Sequence, residues 1–122
     1  MIAVINLSDI EHLKAKAMKE GLVFCNSCVL YGLFKNGTLV GFTGIVKQKS
    51  KVIFKNHFVL LDQRGKGYFK ELFDFSINYT KSFGIKKVEA TCTQKSINHY
   101  LSNGFQVIKE YKYYKKVVNE NI

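Results

Sequence analysis

The chain has 122 residues, 47% of them hydrophobic and 14% aromatic, enough for one core and too few for two. A single domain over residues 1–122 is therefore expected. No stretch approaches the ~20 apolar residues of a membrane span. Met1–Ile5 is too short for a signal-peptide core and has no basic residues before it, so a cytoplasmic protein without membrane contact is expected. The net charge of +10 comes from 19 Lys and Arg against 9 Asp and Glu, and Arg64 is the one arginine. Proteins that read bases draw on the bidentate arginine fork. Lysine in excess gives general attraction to anions, so specific nucleic-acid binding is not expected.

Ile2 to Asn6 reads as a short strand. Ser8-Asp9-Ile10-Glu11 is a capping box with Ser8 as N-cap. It opens a helix that buries Ile10, Leu13 and Ala17, with Met18 at the margin, and ends at Gly21. Val29 to Phe34 and Thr38 to Val46 are β-rich. Lys35-Asn36-Gly37 joins them, and Asn-Gly is a hairpin signal because both residues tolerate φ > 0. Val52 to Leu61 is the next strand. A helical pattern from about Lys66 to Phe83 buries Phe69, Leu72, Phe73, Ser76, Ile77, Thr80 and Phe83 along one face, and Gly84 stops it. Lys86 to Cys92 is a strand that can run parallel to the preceding one. Gln94 to Ser102 is a short helix closed by Asn103-Gly104. Phe105 to Val118 is β-rich, either one long strand or a tight pair. The order β-α-β-β-β-α-β-α-β is mixed α/β, antiparallel in front with a β-α-β crossover behind.

Cys25-Asn26-Ser27-Cys28 is a C-x-x-C. A zinc site needs two further ligands, and the sequence has no second C-x-x-C and no H-x-x-H. The pair precedes a β-like run, whereas a thioredoxin-type motif opens a helix. Reduced structural cysteines and no metal are expected.

The chemistry concentrates where the strand ending at Leu61 meets Asp62-Gln63-Arg64-Gly65-Lys66-Gly67-Tyr68-Phe69. Strand, glycine turn and helix N-terminus together make an anion site. The turn and the first helical N–H groups have no intrahelical acceptor, and the helix dipole adds positive potential. Gly65 and Gly67 remove Cβ atoms that would hold a phosphate away; Arg64 and Lys66 add charge. A tight turn with solvated basic residues would have the same sequence, so the rest of the chain must discriminate.

The segment resembles the acyl-CoA signature of the GNAT family of N-acetyltransferases, Gln/Arg-x-x-Gly-x-Gly/Ala, with Asp62 departing at the first position. Family members often carry Asn, then Tyr seven residues on, then Gly-Phe. Here Thr93, Tyr100 and Gly104-Phe105 stand at those spacings, with Thr93 in the Asn position. The resemblance covers roughly residues 28–117. It implies a GNAT-type sheet in which strands 53–61 and 86–92 splay around the pantetheine arm of acetyl-CoA. The family's second N-terminal helix has room only in residues 21–27, so a shortened substrate side is expected, open or completed by a homodimer partner.

The resemblance assigns the coenzyme to Phe58, Val59, Leu60, Leu61, Arg64, Gly65, Lys66, Gly67, Tyr68, Phe69, Thr93 and Ser96. A backbone N–H at Val59 or Leu60 would face the thioester oxygen. Tyr100 matches the general acid that protonates the leaving thiolate, although Ile97, Tyr100 and Leu101 also form an apolar helix face. No carboxylate lies between Val52 and Leu61, so His57 is the titratable base available on that strand, with Asn56 able to position a water. His12 and His99 are expected to be solvated. The leading expectation is acetyl transfer from acetyl-CoA to a primary amine. The alternatives are a protein that keeps the fold but acts by binding, such as a small phage-type inhibitor of a host protein, and a basic nucleic-acid-associated module, supported locally by Tyr111-Lys112-Tyr113-Tyr114-Lys115-Lys116.

Overall fold

The computed structural model describes the chain except Val23, Cys25 and Asn26. Seven strands form one sheet in the order β1-β2-β3-β4-β5-β7-β6. They are β1 (Ile2–Ile5), β2 (Val29–Lys35), β3 (Thr38–Lys47), β4 (Lys51–Val59), β5 (Lys87–Thr93), β6 (Gln106–Glu110) and β7 (Tyr114–Asn119). All neighbours are antiparallel except β4 and β5, the parallel pair joined by the crossover helix α2 (Tyr68–Ser82). The stretch 105–118 is thus a tight strand pair. No helix among the described residues is long and apolar enough to cross a membrane.

The first helical segment is capped by Asn6, two residues before the expected Ser8. Asn6 is still extended as it leaves β1 (φ −97°, ψ 157°), and its N–H donates to Asp9 Oδ2 at 2.7 Å. A 3-10 turn (Leu7–Leu13) then runs into α1 (Lys14–Lys19). Ile10, Leu13 and Ala17 are buried, whereas Met18 is exposed. Gly21 closes α1 at φ 97°. Of the residues between Glu20 and Val29, Gly21, Leu22, Phe24, Ser27 and Cys28 are described and none is helical. Cys28 is half-buried, with the Asn56 side-chain amide 3.8 Å from its sulfur; Cys25, the other cysteine of the C-x-x-C, lies outside the described residues.

The two faces of the sheet carry different layers. Val52, Phe54, Val88, Ala90 and Cys92 pack with Phe73, Tyr100 and Phe105 under α2 and α3 (Ile97–Ser102). Ile5, Leu30, Phe42 and Phe58 pack with Ile10, Leu13 and Ala17 on the other face. Phe54 and Phe58 are four residues apart on one strand, yet they face opposite layers. Alternation would place them together. A β-bulge resolves this: Gly44 pairs with Lys55 and Phe42 with Phe58, so Asn56 and His57 together oppose Thr43. Asn56 takes φ 57°, a conformation asparagine tolerates better than most residues. Gly44 makes the bulge possible, because a Cβ there would sit 2.9 Å from the Lys55 carbonyl oxygen.

The bulge also ends the contact between the parallel strands. Their ladder runs from Lys51↔Lys87 to Phe54↔Ala90 and stops. Both strands continue, β4 to Val59 and β5 to Thr93, and diverge. The parallel pair and its splay match the sequence expectation. β4 is shorter than expected, since Leu61–Gln63 turn into a 3-10 segment. Helix α2 starts at Tyr68, because Gly67 at φ 82° cannot join it. Phe83, expected in the core, is half exposed and lies under the Lys47 ammonium at 4.7 Å.

Candidate active site

The splay opens a cleft of about 530 Å³ between β4, β5, the glycine turn, α3 and the end of α1. Phe58, Val59, Arg64, Gly65, Gly67, Tyr68, Phe69, Thr93, Ser96, Tyr100 and His57 line it together. Three other expected coenzyme residues, Leu60, Leu61 and Lys66, do not. Leu60 turns its N–H to the Val40 carbonyl of β3 at 3.0 Å. Leu61 is 72% exposed. The Lys66 ammonium rests on Gln63 at 3.1 Å.

Gly65 and Gly67 take φ 80° and 82°, and the turn delivers its backbone donors to one mouth of the cleft. The N–H groups of residues 65–70 have no protein acceptor among the described residues. Six consecutive free donors at the start of a fifteen-residue helix form an anion cradle. A Cβ on Gly65 or Gly67 would meet nothing within 4 Å, so the protein leaves that space open.

Arg64 does not lie free beside this cradle. Its Nε–H donates to the Val59 carbonyl at 2.9 Å, its guanidinium lies 5.2 Å from the Phe58 ring centre, and it meets Glu20 at 2.7 Å. Lys95 reaches the same carboxylate at 3.4 Å. One carboxylate at the end of α1 therefore ties the loop after β4 to the loop after β5. Among the described residues Glu20 is the single carboxylate lining the cleft. Its sequence position, one residue before the glycine that closes α1, carried no sign of this role.

In an extended strand the N–H and C=O of one residue point the same way. The Val59 carbonyl faces Arg64 in the cleft, so the Val59 N–H faces the cleft too, whereas Leu60 faces β3. Of the two oxyanion donors left open by the sequence, the geometry favours Val59.

Tyr100 is 2% exposed and packs edge-on against Phe73 and Phe105 at 5.6 and 5.2 Å. Its hydroxyl has no hydrogen bond among the described residues. Burial, with a smaller effect from nearby Cys92, raises its pKa far above the usual phenol value. It is both a core residue and part of the cleft lining, so the two sequence readings of it are compatible.

His57 faces α2 as a consequence of the bulge. Its ring stacks on Phe69 at 3.9 Å and 4°. A carbonyl can only accept, so the 3.1 Å contact between Nε2 and the Phe69 carbonyl makes Nε2 the protonated nitrogen. Nδ1 is buried without a partner among the described residues. Burial, opposed by the Phe69 carbonyl and reinforced by His99, pushes the pKa down to about 3. A base must expose its lone pair and hold the proton it takes. This imidazole does neither, which argues against the base role suggested by its strand position. His99, expected to be solvated, is half-buried, edge-on to Phe69 and Phe73 at 4.8 and 4.5 Å. Burial lowers its pKa as well.

The GNAT acetyltransferase family model matches residues 4–105. The chain belongs to the GNAT family. The solved structures similar to this GNAT protein include ElaA from Escherichia coli, at 18% identity and TM-score 0.70 over 98% of this chain and 100% of that one. Another is the PaiA N-acetyltransferase of Thermoplasma acidophilum in complex with coenzyme A, at 17% identity and TM-score 0.70 over 93% and 68%. A third is a GNAT family acetyltransferase of Elizabethkingia anophelis with acetyl-CoA bound, at 14% identity and TM-score 0.70 over 100% and 97%. At these identities the likeness concerns the fold. A search of curated protein sequences finds no match.

Proposed function

We propose that this GNAT protein transfers the acetyl group of acetyl-CoA to a primary amine by direct attack. The observation that carries the reading is the pairing of the six-donor cradle at α2 with the splay of β4 and β5, opening into one cleft. The cradle suits a pyrophosphate, and the unpaired strand edge suits an amide-bearing arm. Two similar structures, those of Thermoplasma acidophilum and Elizabethkingia anophelis, hold coenzyme A and acetyl-CoA, consistent with that assignment.

The amine nitrogen attacks the thioester carbon while the Val59 N–H stabilises charge developing on the oxygen. The C–S bond breaks and Tyr100 O–H protonates the departing sulfur. A buried phenol stays protonated across the working pH range. The thiolate forms beside the same buried ring, where its basicity also rises, so the transfer remains matched. No carboxylate lies on β4 near the thioester, and His57 is closed off. The amine is therefore taken to arrive neutral, and the proton its nitrogen sheds as the amide forms passes through water to restore the Tyr100 phenol.

The test is calorimetry with acetyl-CoA, followed by thiol release with a panel of amine acceptors. Binding plus release with one acceptor class supports transfer. Binding without release from any amine would favour a protein that keeps the fold and works by binding. No binding at all would remove the reading.

A further inference from the structure

We propose that the acceptor carries an anionic group beside its amine, held by Lys55 with the hydroxyls of Thr91 and Tyr114. The inference rests on the acetyl-transfer reading and deepens it by naming the substrate class.

The argument begins with the two mouths of the cleft. Val52 and Phe54 of β4, and Val88, Ala90 and Cys92 of β5, face α2. By alternation Lys55 and Thr91 face the other way. They follow the last ladder pair, Phe54↔Ala90, and so stand on either side of the point where the strands part. Tyr114 pairs with Thr93 in register and shares that face. All three line the cleft, on the side away from the phosphate cradle.

Charge then discriminates between acceptors. Of the cations lining the cleft, Arg64 and Lys95 share Glu20. On the same sheet face Lys51 and Lys116 share Glu89. The Lys55 ammonium has neither an ion pair nor a hydrogen bond among the described residues. It stands on the sheet face opposite α2, the helix whose start carries the six N–H donors that suit the coenzyme phosphates. A free ammonium with two hydroxyl donors is the chemistry of a carboxylate or phosphate subsite. A polyamine would bring only cations to this corner.

The experiment uses acceptor pairs that differ only in the anion. One arm compares an α-amino acid with its amide, and the other an amino sugar phosphate with the free amino sugar. The anionic member of one arm should exceed its neutral partner in kcat/KM by roughly 10- to 100-fold, the usual strength of a charge-assisted contact. Lys55→Gln should erase that ratio by raising KM for the anionic acceptor, leaving acetyl-CoA affinity and the neutral acceptor unchanged. Lys55→Arg should keep most of it. Equal or faster turnover of the neutral members, or equal slowing of both by Lys55→Gln, would overturn the proposal. The same anions titrated calorimetrically into protein loaded with coenzyme A give a readout that does not need turnover. Lys55-dependent binding without transfer would retain this subsite and discard acetyl transfer. Thiol release to neutral amines, with no Lys55-dependent anion binding, would retain transfer and discard the subsite.

Discussion

Arg64 and Glu20 meet at 2.7 Å across the mouth of the cleft, and the same arginine donates to the Val59 carbonyl on the strand edge that an incoming arm would use. A coenzyme phosphate that took up Arg64 would therefore compete with Glu20 for one guanidinium. Phosphates that engage Arg64 or Lys95 must do so against a carboxylate already in place. Entry of the coenzyme would release Glu20 into the cleft that the acceptor enters.

Glu20→Gln should accordingly tighten acetyl-CoA binding. Both partners are partly exposed, so solvent screens the pair and the gain is modest, roughly 2- to 5-fold in Kd. Calorimetry at low and at ~0.2 M salt checks this, and the difference from wild type should shrink as salt rises. Weaker binding in Glu20→Gln would mean that the ion pair holds the cleft in its binding shape.

Gly67→Asp should abolish acetyl-CoA binding while leaving a folded protein. The added side chain meets nothing within 4 Å in the protein and so acts on what enters the cradle. Its φ of 82° is the remaining cost, about 1–2 kcal/mol for a residue with a Cβ. Thermal unfolding should show a small loss and calorimetry a complete one. Affinity like that of wild type would show that the phosphates lie elsewhere.

Tyr100→Phe should lower kcat by roughly 10²–10⁴-fold with little change in acetyl-CoA affinity, the range for a positioned acid. The ring stays, so its contacts with Phe73 and Phe105 survive. The raised pKa adds a second expectation: the wild-type profile should have no descending limb from a phenol near pH 10. An unchanged single-turnover rate in the variant would leave Tyr100 a core residue alone.

These sites were legible in the sequence to different depths. The cradle was readable because the glycine turn stands between an apolar strand and an amphipathic helix, and because Tyr100 and Gly104-Phe105 stand at the spacing of the family resemblance. The parallel pair followed from two strands bracketing that helix. What escaped was set by one bulge. Nothing in Val-Ile-Phe-Lys-Asn-His-Phe-Val announces that Asn56 takes a left-handed conformation. Yet that residue shifts His57 to the α2 face, sends Phe58 to the opposite layer and ends the ladder with β5. Period-two reasoning assigns faces correctly up to Lys55 and inverts them afterwards. The hold on Arg64 escaped for a different reason. The sequence puts this arginine beside the cradle but gives no sign of the carboxylate it meets, because Glu20 is 44 residues away.

His57 gives the last prediction, which separates a structural imidazole from a catalytic one. Its folded pKa, about 3, lies below the ordinary value of 6.5. The unfolded chain therefore binds more protons than the folded one between those values, and stability rises with pH there. The stabilisation from keeping the ring neutral is complete above about pH 6.5 and is lost as pH falls toward 3. His99, also shifted down by burial, adds to the same trend. The thermal midpoint of the wild type should fall steadily from pH 7 to pH 4. His57→Gln keeps an N–H for the Phe69 carbonyl but cannot titrate, so its midpoint should fall less steeply. Its kcat near neutral pH should stay within a few-fold of wild type, and no ionisation near 6–7 should vanish from its rate profile. A loss of kcat beyond ~10²-fold with unchanged stability, together with the disappearance of such a limb, would return His57 to the role of base.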